Sequence, residues 1–238
     1  MKTIDQHYDF FKNVKQLLLS SKVKLFLLCL LTATISCTTD EDSEDDDTPS
    51  VSTPTVSYDS TTLDATFSTL GNSSAPTLNW NGDQGSFSLV NTIPGVTINT
   101  TTGVVSWNRL LPPGTNNLQL IAANSAGQTS VNLTINNPLR GVFTGTYGSS
   151  LFFQFEFLGD GNVNIKATNE ASPDIASGTY TINDDEILVN YLYDISPDPF
   201  SILGTLVQTE SSASLSGKWY FAADADPAEE GGEFTISL

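Results

Sequence analysis

The chain is poor in the side chains that do most enzymatic work. Its 238 residues include one histidine, His7, and two cysteines, Cys29 and Cys37. No cluster of His and Cys is available for zinc, haem or iron–sulfur ligation. No Gly-rich phosphate loop or dinucleotide fingerprint is present. Lys and Arg total nine against 27 Asp and Glu, a formal charge of −18. A surface of that sign repels nucleic acid and anionic lipid, so nucleic acid is excluded as a partner. Helical periodicity is absent over any long stretch. The longest apolar run, 25–31, extended by Thr32-Ala33-Thr34-Ile35, is about half the ~20 residues that a transmembrane helix needs.

That short run has a different reading. Lys22 and Lys24 precede it, and Ser36-Cys37 follows it. A positive segment, an apolar segment of this length and a small residue make a secretory signal. Thr34-Ile35-Ser36-Cys37 resembles the lipobox of bacterial lipoproteins, with Thr34 at a position where Leu is commoner. The resemblance implies lipidation of Cys37 after cleavage, hence a membrane partner through a lipid anchor, because several acyl chains together hold stably. Segment 1–36 is then the leader. Residues 37–51 form a linker in which 40–47 hold seven carboxylates in eight positions. Such a run repels itself and stays solvated. It resembles the acidic tag of lipoproteins displayed on the outer face of the Gram-negative outer membrane; a periplasm-facing anchor is the alternative.

Removing the leader removes His7 and Cys29, and lipid occupies Cys37. The remaining chain has no imidazole and no free thiol, so Ser–His and Cys–His catalysis and disulfides are excluded. Asp5 and Asp9 leave as well, so 25 acids face Arg109, Arg140, Lys166 and Lys218, a formal charge of −21. Carboxylates, hydroxyls, amides and aromatics are left to contact a ligand.

Composition shifts near Asn136-Asn137-Pro138, which divides the rest into 52–137 and 139–238. The first part is rich in Thr, Ser and Asn. Short alternating runs (Leu63, Ala65, Phe67; Leu118, Leu120, Ala122; Val131, Leu133, Ile135) are separated by turn residues such as Pro94-Gly95 and Ala126-Gly127. Period two with Gly, Pro and Asn turns predicts an antiparallel sandwich. Val96, Ile98, Val104 and Trp107 are expected to fill one face, with Gly95 and Gly103 at positive φ. Trp80 and Trp107 are expected in the core. Residues 93–107 and the Ala122-Ala123-Asn124-Ser125-Ala126-Gly127 hairpin resemble the cadherin-like Ig repeat of bacterial surface proteins. Calcium binding is an association of that family, although this part offers only Asp59, Asp64 and Asp83 as acids.

The second part is dense in aromatics and holds 15 acids against three bases. Eight strands are expected at 141–147, 151–158, 162–168, 176–182, 186–193, 200–208, 214–221 and 233–238. The turns between them are tight, as at Gly159-Asp160-Gly161. Consecutive strands of this kind predict a meander closed into a small barrel, with an open sandwich as the alternative. Gly145-Thr146-Tyr147, Gly178-Thr179-Tyr180 and Gly217-Lys218-Trp219 echo one another, glycine allowing a strand to coil and an aromatic covering the gap. Together with Phe143–Tyr147 and the hairpin ending at Val163, they resemble lipocalin-like, calycin-type domains. The expected interior is filled or narrow.

The fold class expected is therefore all-β: a leader and acidic tether, an Ig-like sandwich and a lipocalin-like barrel. The function expected is that of a non-enzymatic outer-membrane lipoprotein for display, adhesion or binding. Its partners would be a glycan, a small apolar molecule or a surface protein. Tyr191, Tyr193, Trp219 and Tyr220 are the candidate ligand contacts. Asp224, Asp226, Glu229 and Glu230 are candidates for a weak Ca2+ site, without EF-hand spacing; no other cofactor is expected. A glycosidase would need two acids paired across a cleft.

Overall fold

A computed structural model describes residues 50–238. The leader, Cys37 and the acidic tether lie outside the described residues. The chain from Thr48 to Leu238 forms one compact unit, and its all-β class is the one the sequence predicts.

Nine strands come first: β1 (Thr55–Ser57), β2 (Thr62–Asp64), β3 (Gly71–Asn72), β4 (Thr77–Asn79), β5 (Ser86–Leu89), β6 (Val96–Ile98), β7 (Val105–Trp107), β8 (Gly114–Asn124) and β9 (Gly127–Asn137). They form a sandwich from a four-stranded sheet β2-β9-β8-β5, a three-stranded sheet β3-β7-β6 and the pair β1-β4. The long hairpin β8–β9 dominates it. Leu118, Leu120, Leu133 and Ile135 alternate inward from its strands, while the Gln, Asn and Thr residues between them face out. One pairing departs from the antiparallel expectation: β2 runs parallel to β9, with Leu63 opposite Ile135.

A second departure concerns register. Val105, not Val104, joins Val96 and Trp107 in the core. Gly103 sits at φ 71° in a turn where Asn99 N–H donates to the carbonyl of Val104 and Gly103 N–H to that of Asn99, both at 2.9 Å. The turn uses up Val104, so the strand starts one residue later, and side-chain alternation then puts Val105 and Trp107 on one face. Trp80 is only half-buried and packs on Phe87 at 5.4 Å between ring centres.

Eight strands follow: β10 (Arg140–Tyr147), β11 (Leu151–Leu158), β12 (Asn162–Lys166), β13 (Ala176–Asn183), β14 (Glu186–Tyr193), β15 (Pro199–Gln208), β16 (Ala213–Tyr220) and β17 (Glu230–Ser237). Each pairs antiparallel with the next, and β10 pairs with β17, so the meander closes into a barrel. The open-sandwich alternative is excluded by that last pairing. Closure leaves no free edge. Inward positions carry Phe143, Phe155, Phe157, Ile165, Val189, Ile202, Leu215 and Ile236, all buried. Eight strands leave an interior just wide enough for side chains or for one small ligand, and side chains fill most of it.

Glycines set the coiling of the barrel. A Cβ on Gly145, Gly178 or Gly217 would overlap the carbonyl oxygen of Thr235, Asn190 or Leu203 on the neighbouring strand. What stands closest to these three glycines is the backbone of the neighbouring strand and not an aromatic ring two residues on, whereas at Gly204 the ring of Phe234 does cover the gap.

The sandwich plugs one end of the barrel. Only Pro138 and Leu139 separate β9 from β10, and Leu139 is buried in the barrel core together with Phe67 from the sandwich. Gln208 Nε2, on β15, donates to the carbonyls of Arg109 (2.7 Å) and Leu111 (3.1 Å). Asn137 Nδ2 holds the same loop through the carbonyls of Leu111 (2.9 Å) and Pro112 (3.0 Å). At the other end of the sandwich, Ser52 is bonded to Asn81 and Asn124, beside the β8–β9 turn. The chain thus enters the sandwich about 35 Å from the barrel, taking ~3.3 Å per residue along β8.

Candidate functional site

Hairpin connections of a meander alternate between the two ends of its barrel. The connections 159–161, 184–185 and 209–212 face the sandwich; 148–150, 167–175, 194–198 and 221–229 lie at the free end. Inward side chains near the free end therefore meet there, whichever strand carries them.

These side chains are aromatic. They surround a cavity of about 200 Å³ lined by Tyr147, Phe153, Tyr191, Tyr193, Phe200, Trp219 and Phe221. Their rings form a closed circuit of contacts. Tyr147 and Phe153 lie 4.8 Å apart, Phe153 and Phe155 4.5 Å, Phe155 and Tyr191 6.1 Å, and Tyr191 and Phe200 5.7 Å. Phe200 and Phe221 follow at 5.9 Å, Phe221 and Trp219 at 4.7 Å, and Trp219 returns to Tyr147 at 5.8 Å. Fully buried Phe155 belongs to the circuit without lining the cavity. The cavity is lined by no charged side chain.

The walls are fixed by backbone close to them. Gly231 and Gly232 of β17 lie against the Trp219 indole, and a Cβ on Gly231 would enter that ring. The indole Nε1 is buried without a hydrogen-bond partner among the described residues. Burial raises the phenol of Tyr191 far above the usual tyrosine range, with Tyr193 and Tyr147 adding to the effect. Burial raises Tyr193 too. Both rings are neutral at physiological pH.

Of the four aromatic candidates read from sequence, three line the cavity: Tyr191, Tyr193 and Trp219. Tyr220 does not. It is buried, but it follows Trp219 on the same strand and so faces the other way, paired with Ser201 on the outer side of the sheet. Tyr147, Phe153, Phe200 and Phe221 are not among the ligand contacts expected from the sequence. Their common signal was position: each lies at the end of a strand, or just beyond it, that a closed meander brings to the free end.

The acidic segment 222–230 is occupied locally. Asp224 Oδ1 accepts from Asn190 Nδ2 at 2.8 Å, and its N–H donates to Asn190 Oδ1 at 2.8 Å. Asp226 Oδ1 caps Ala228 N at 2.9 Å. Glu230 pairs with Lys218 at 2.8 Å. These three carboxylates and Glu229 are not gathered into one site; among the described residues, no three His, Cys, Asp or Glu side chains are placed to hold a metal ion. Ser201 Oγ donates to Ala222 O (2.6 Å) and accepts from Ala225 N (3.0 Å), which fastens the segment to the barrel wall.

A second hollow, of about 640 Å³, lies at the seam between sandwich and barrel. Ile93, Pro94, Pro112 and Pro113 face Ile182, Asp184, Asp185 and Leu206 across it. Its two carboxylates are neighbours on a single turn, not a pair across a cleft.

No protein-family model and no curated protein matches the chain. The solved structures similar to it include two with low scores. A structure of human protocadherin-24 EC1-2 is 11% identical with a TM-score of 0.35, over 78% of this chain and 94% of that one. A quinonprotein alcohol dehydrogenase-like protein from Bacteroides thetaiotaomicron is 11% identical with a TM-score of 0.28, over 71% of this chain and 57% of that one.

Proposed function

We propose that the protein is a non-enzymatic binding lipoprotein of the outer membrane, held by lipid on Cys37 and displayed by its acidic tether. The sandwich acts as a spacer, and the free end of the barrel takes a small ligand. The observation that carries this reading is the uncharged aromatic cavity at the barrel end opposite the sandwich. The chain enters at the far end of that sandwich, so the cavity is the part held farthest from an anchor at the N-terminal side. Two exposed apolar side chains stand near its mouth: Ile195 at 97% exposure and Phe221 at 54%.

A volume of about 200 Å³ is below the ~300–1,000 Å³ of pockets that engulf drug-sized ligands. The cavity suits one ring or one compact group, with the remainder of the ligand outside. Two experiments test the proposal. Cys37→Ala should move the protein out of the membrane fraction; unchanged retention would remove the anchor. Binding should be screened by Trp fluorescence and ligand-observed NMR against monosaccharides, aromatic acids, short-chain alcohols and organic cations. A hit that Trp219→Leu abolishes supports the site, and a panel with no hit removes it.

A further inference from the structure

We propose that the distal cavity is an aromatic cage for a small organic cation of trimethylammonium size, such as a choline-type head group; this rests on the cavity being the binding site. The first support is the kind of wall. Aromatic faces carry the negative part of the ring quadrupole and edges the positive part. Several neighbouring rings around this cavity stand at steep angles, Tyr147 and Trp219 at 85°, Tyr193 and Phe200 at 87°, Trp219 and Phe221 at 71°, while Phe200 and Phe221 meet at 55° and Tyr191 and Phe200 lie side by side at 25°. Walls that turn through such angles form a box and not a slot. A box presents faces to a compact, roughly spherical group from several sides, whereas a flat sugar or indole needs two parallel faces.

The second support is what the walls lack. No carboxylate lines the cavity, and the only side-chain oxygens of its lining residues are the hydroxyls of Tyr147, Tyr191 and Tyr193, which are uncharged and too few for the about six to eight oxygen ligands of a hard metal ion. A quaternary ammonium has no N–H to satisfy. It is weakly hydrated for a cation, and quadrupole attraction alone can hold it. Burial keeps Tyr191 and Tyr193 protonated, so the box stays neutral.

The third support is the field around the mouth. The barrel half has 15 acids against three bases. Every free-end connection except 148–150 carries at least two carboxylates, and none of the four carries Lys or Arg. Clefts framed by one sign of charge concentrate the opposite ion. This field draws cations to the mouth and turns away fatty-acid carboxylates and acidic sugars.

The test uses the full chain in a non-ionic detergent, titrated with choline, with tetramethylammonium and with 3,3-dimethylbutan-1-ol, the uncharged carbon analogue of choline. Binding is read by Trp fluorescence and calorimetry. Choline and tetramethylammonium should saturate, with the neutral analogue about tenfold weaker or worse. Added salt should weaken the cations and leave the analogue unchanged. Trp219→Leu should abolish binding, and Phe221→Leu, at a half-exposed position, should weaken it in a protein of unchanged melting temperature. Equal binding of choline and its neutral analogue, both lost in Trp219→Leu, overturns the cation assignment while the binding site stands. Absence of binding by all three probes, with a neutral sugar or aromatic acid bound instead, also overturns it. No binding by any class removes both the assignment and the site.

Discussion

The ring of Phe67, carried by the sandwich, lies 6.2 Å from the ring of Phe143 at the base of the barrel, tilted by 37°. Phe67 is buried among barrel residues and not among those of its own half. With Leu139 and the Gln208 bonds it makes the seam part of a core. A sandwich and a barrel joined in this way share one core, so the aromatic cavity has a fixed direction relative to the sandwich.

Phe67→Ala should therefore destabilise both halves together. Removing a buried Phe costs about 3–5 kcal/mol. The expected outcome is a single unfolding transition, shifted to lower denaturant. The signals of Trp107 in the sandwich and Trp219 in the barrel should coincide in wild type and variant. Two separated transitions in the wild type would contradict the shared core.

The barrel was legible because its strands obey a strict period of two. Phe153, Phe155 and Phe157 alternate with Phe152, Gln154 and Glu156, and the observed strand limits fall close to those predicted, the last strand starting three residues early. What local pattern does not encode is contact between distant strands. The approach of Phe67 to Phe143 depends on the sandwich meeting the base of the barrel, and the meeting of Tyr147 with Trp219 on closure of β10 on β17. Tyr220 was misread for a simpler reason: adjacent residues of a strand face opposite ways, so Trp219 and Tyr220 could not both line one cavity. The carboxylates at 224–230 are weak Ca2+ candidates in the sequence, and neighbouring N–H groups and Lys218 engage three of the four.

The off-by-one register in β7 gives a paired test. Val105 is fully buried and Val104 is not. Val105→Ala removes two buried methyl groups and should cost about 2 kcal/mol. Val104→Ala should cost less than half as much. Chemical denaturation of the two variants checks the order, and a reversed order would place the strand in the register predicted from sequence.

Two barrel glycines should fail for different reasons. At Gly178 a side chain would overlap Asn190 O across the sheet. Gly178→Ala and Gly178→Asn should both destabilise, the first by about 1–3 kcal/mol as overpacking does. At Gly161 there is open space, but φ is 89°. Gly161→Ala should cost about 1 kcal/mol, and Gly161→Asn less, because Asn tolerates the left-handed region. Thermal melts of the four variants separate contact from conformation: rescue by Asn at 161 and not at 178.

Tyr58 links the sandwich to alkaline pH. Its hydroxyl donates to Gly103 O at 2.5 Å across the sandwich, and burial pushes its pKa from 10.0 up to about 12. Below pH 10 the phenol is protonated in both folded and unfolded chains, and its contribution to stability is fully present. Between about 10 and 12 the unfolded chain releases the proton and the folded chain keeps it, so unfolding gains and stability falls as pH rises. Tyr180, Tyr191 and Tyr193, also raised by burial, act in the same direction. Tyr58→Phe should cost about 0.5–1.5 kcal/mol at neutral pH, the worth of a typical hydrogen bond. Above pH 10 the gap between variant and wild type should narrow, since the variant has one phenol fewer to ionise on unfolding. Denaturation midpoints at pH 8 and at pH 11 measure this gap. A gap that widens with pH would mean that Tyr58 is ionised in the folded chain, which its buried contact with a carbonyl oxygen disfavours.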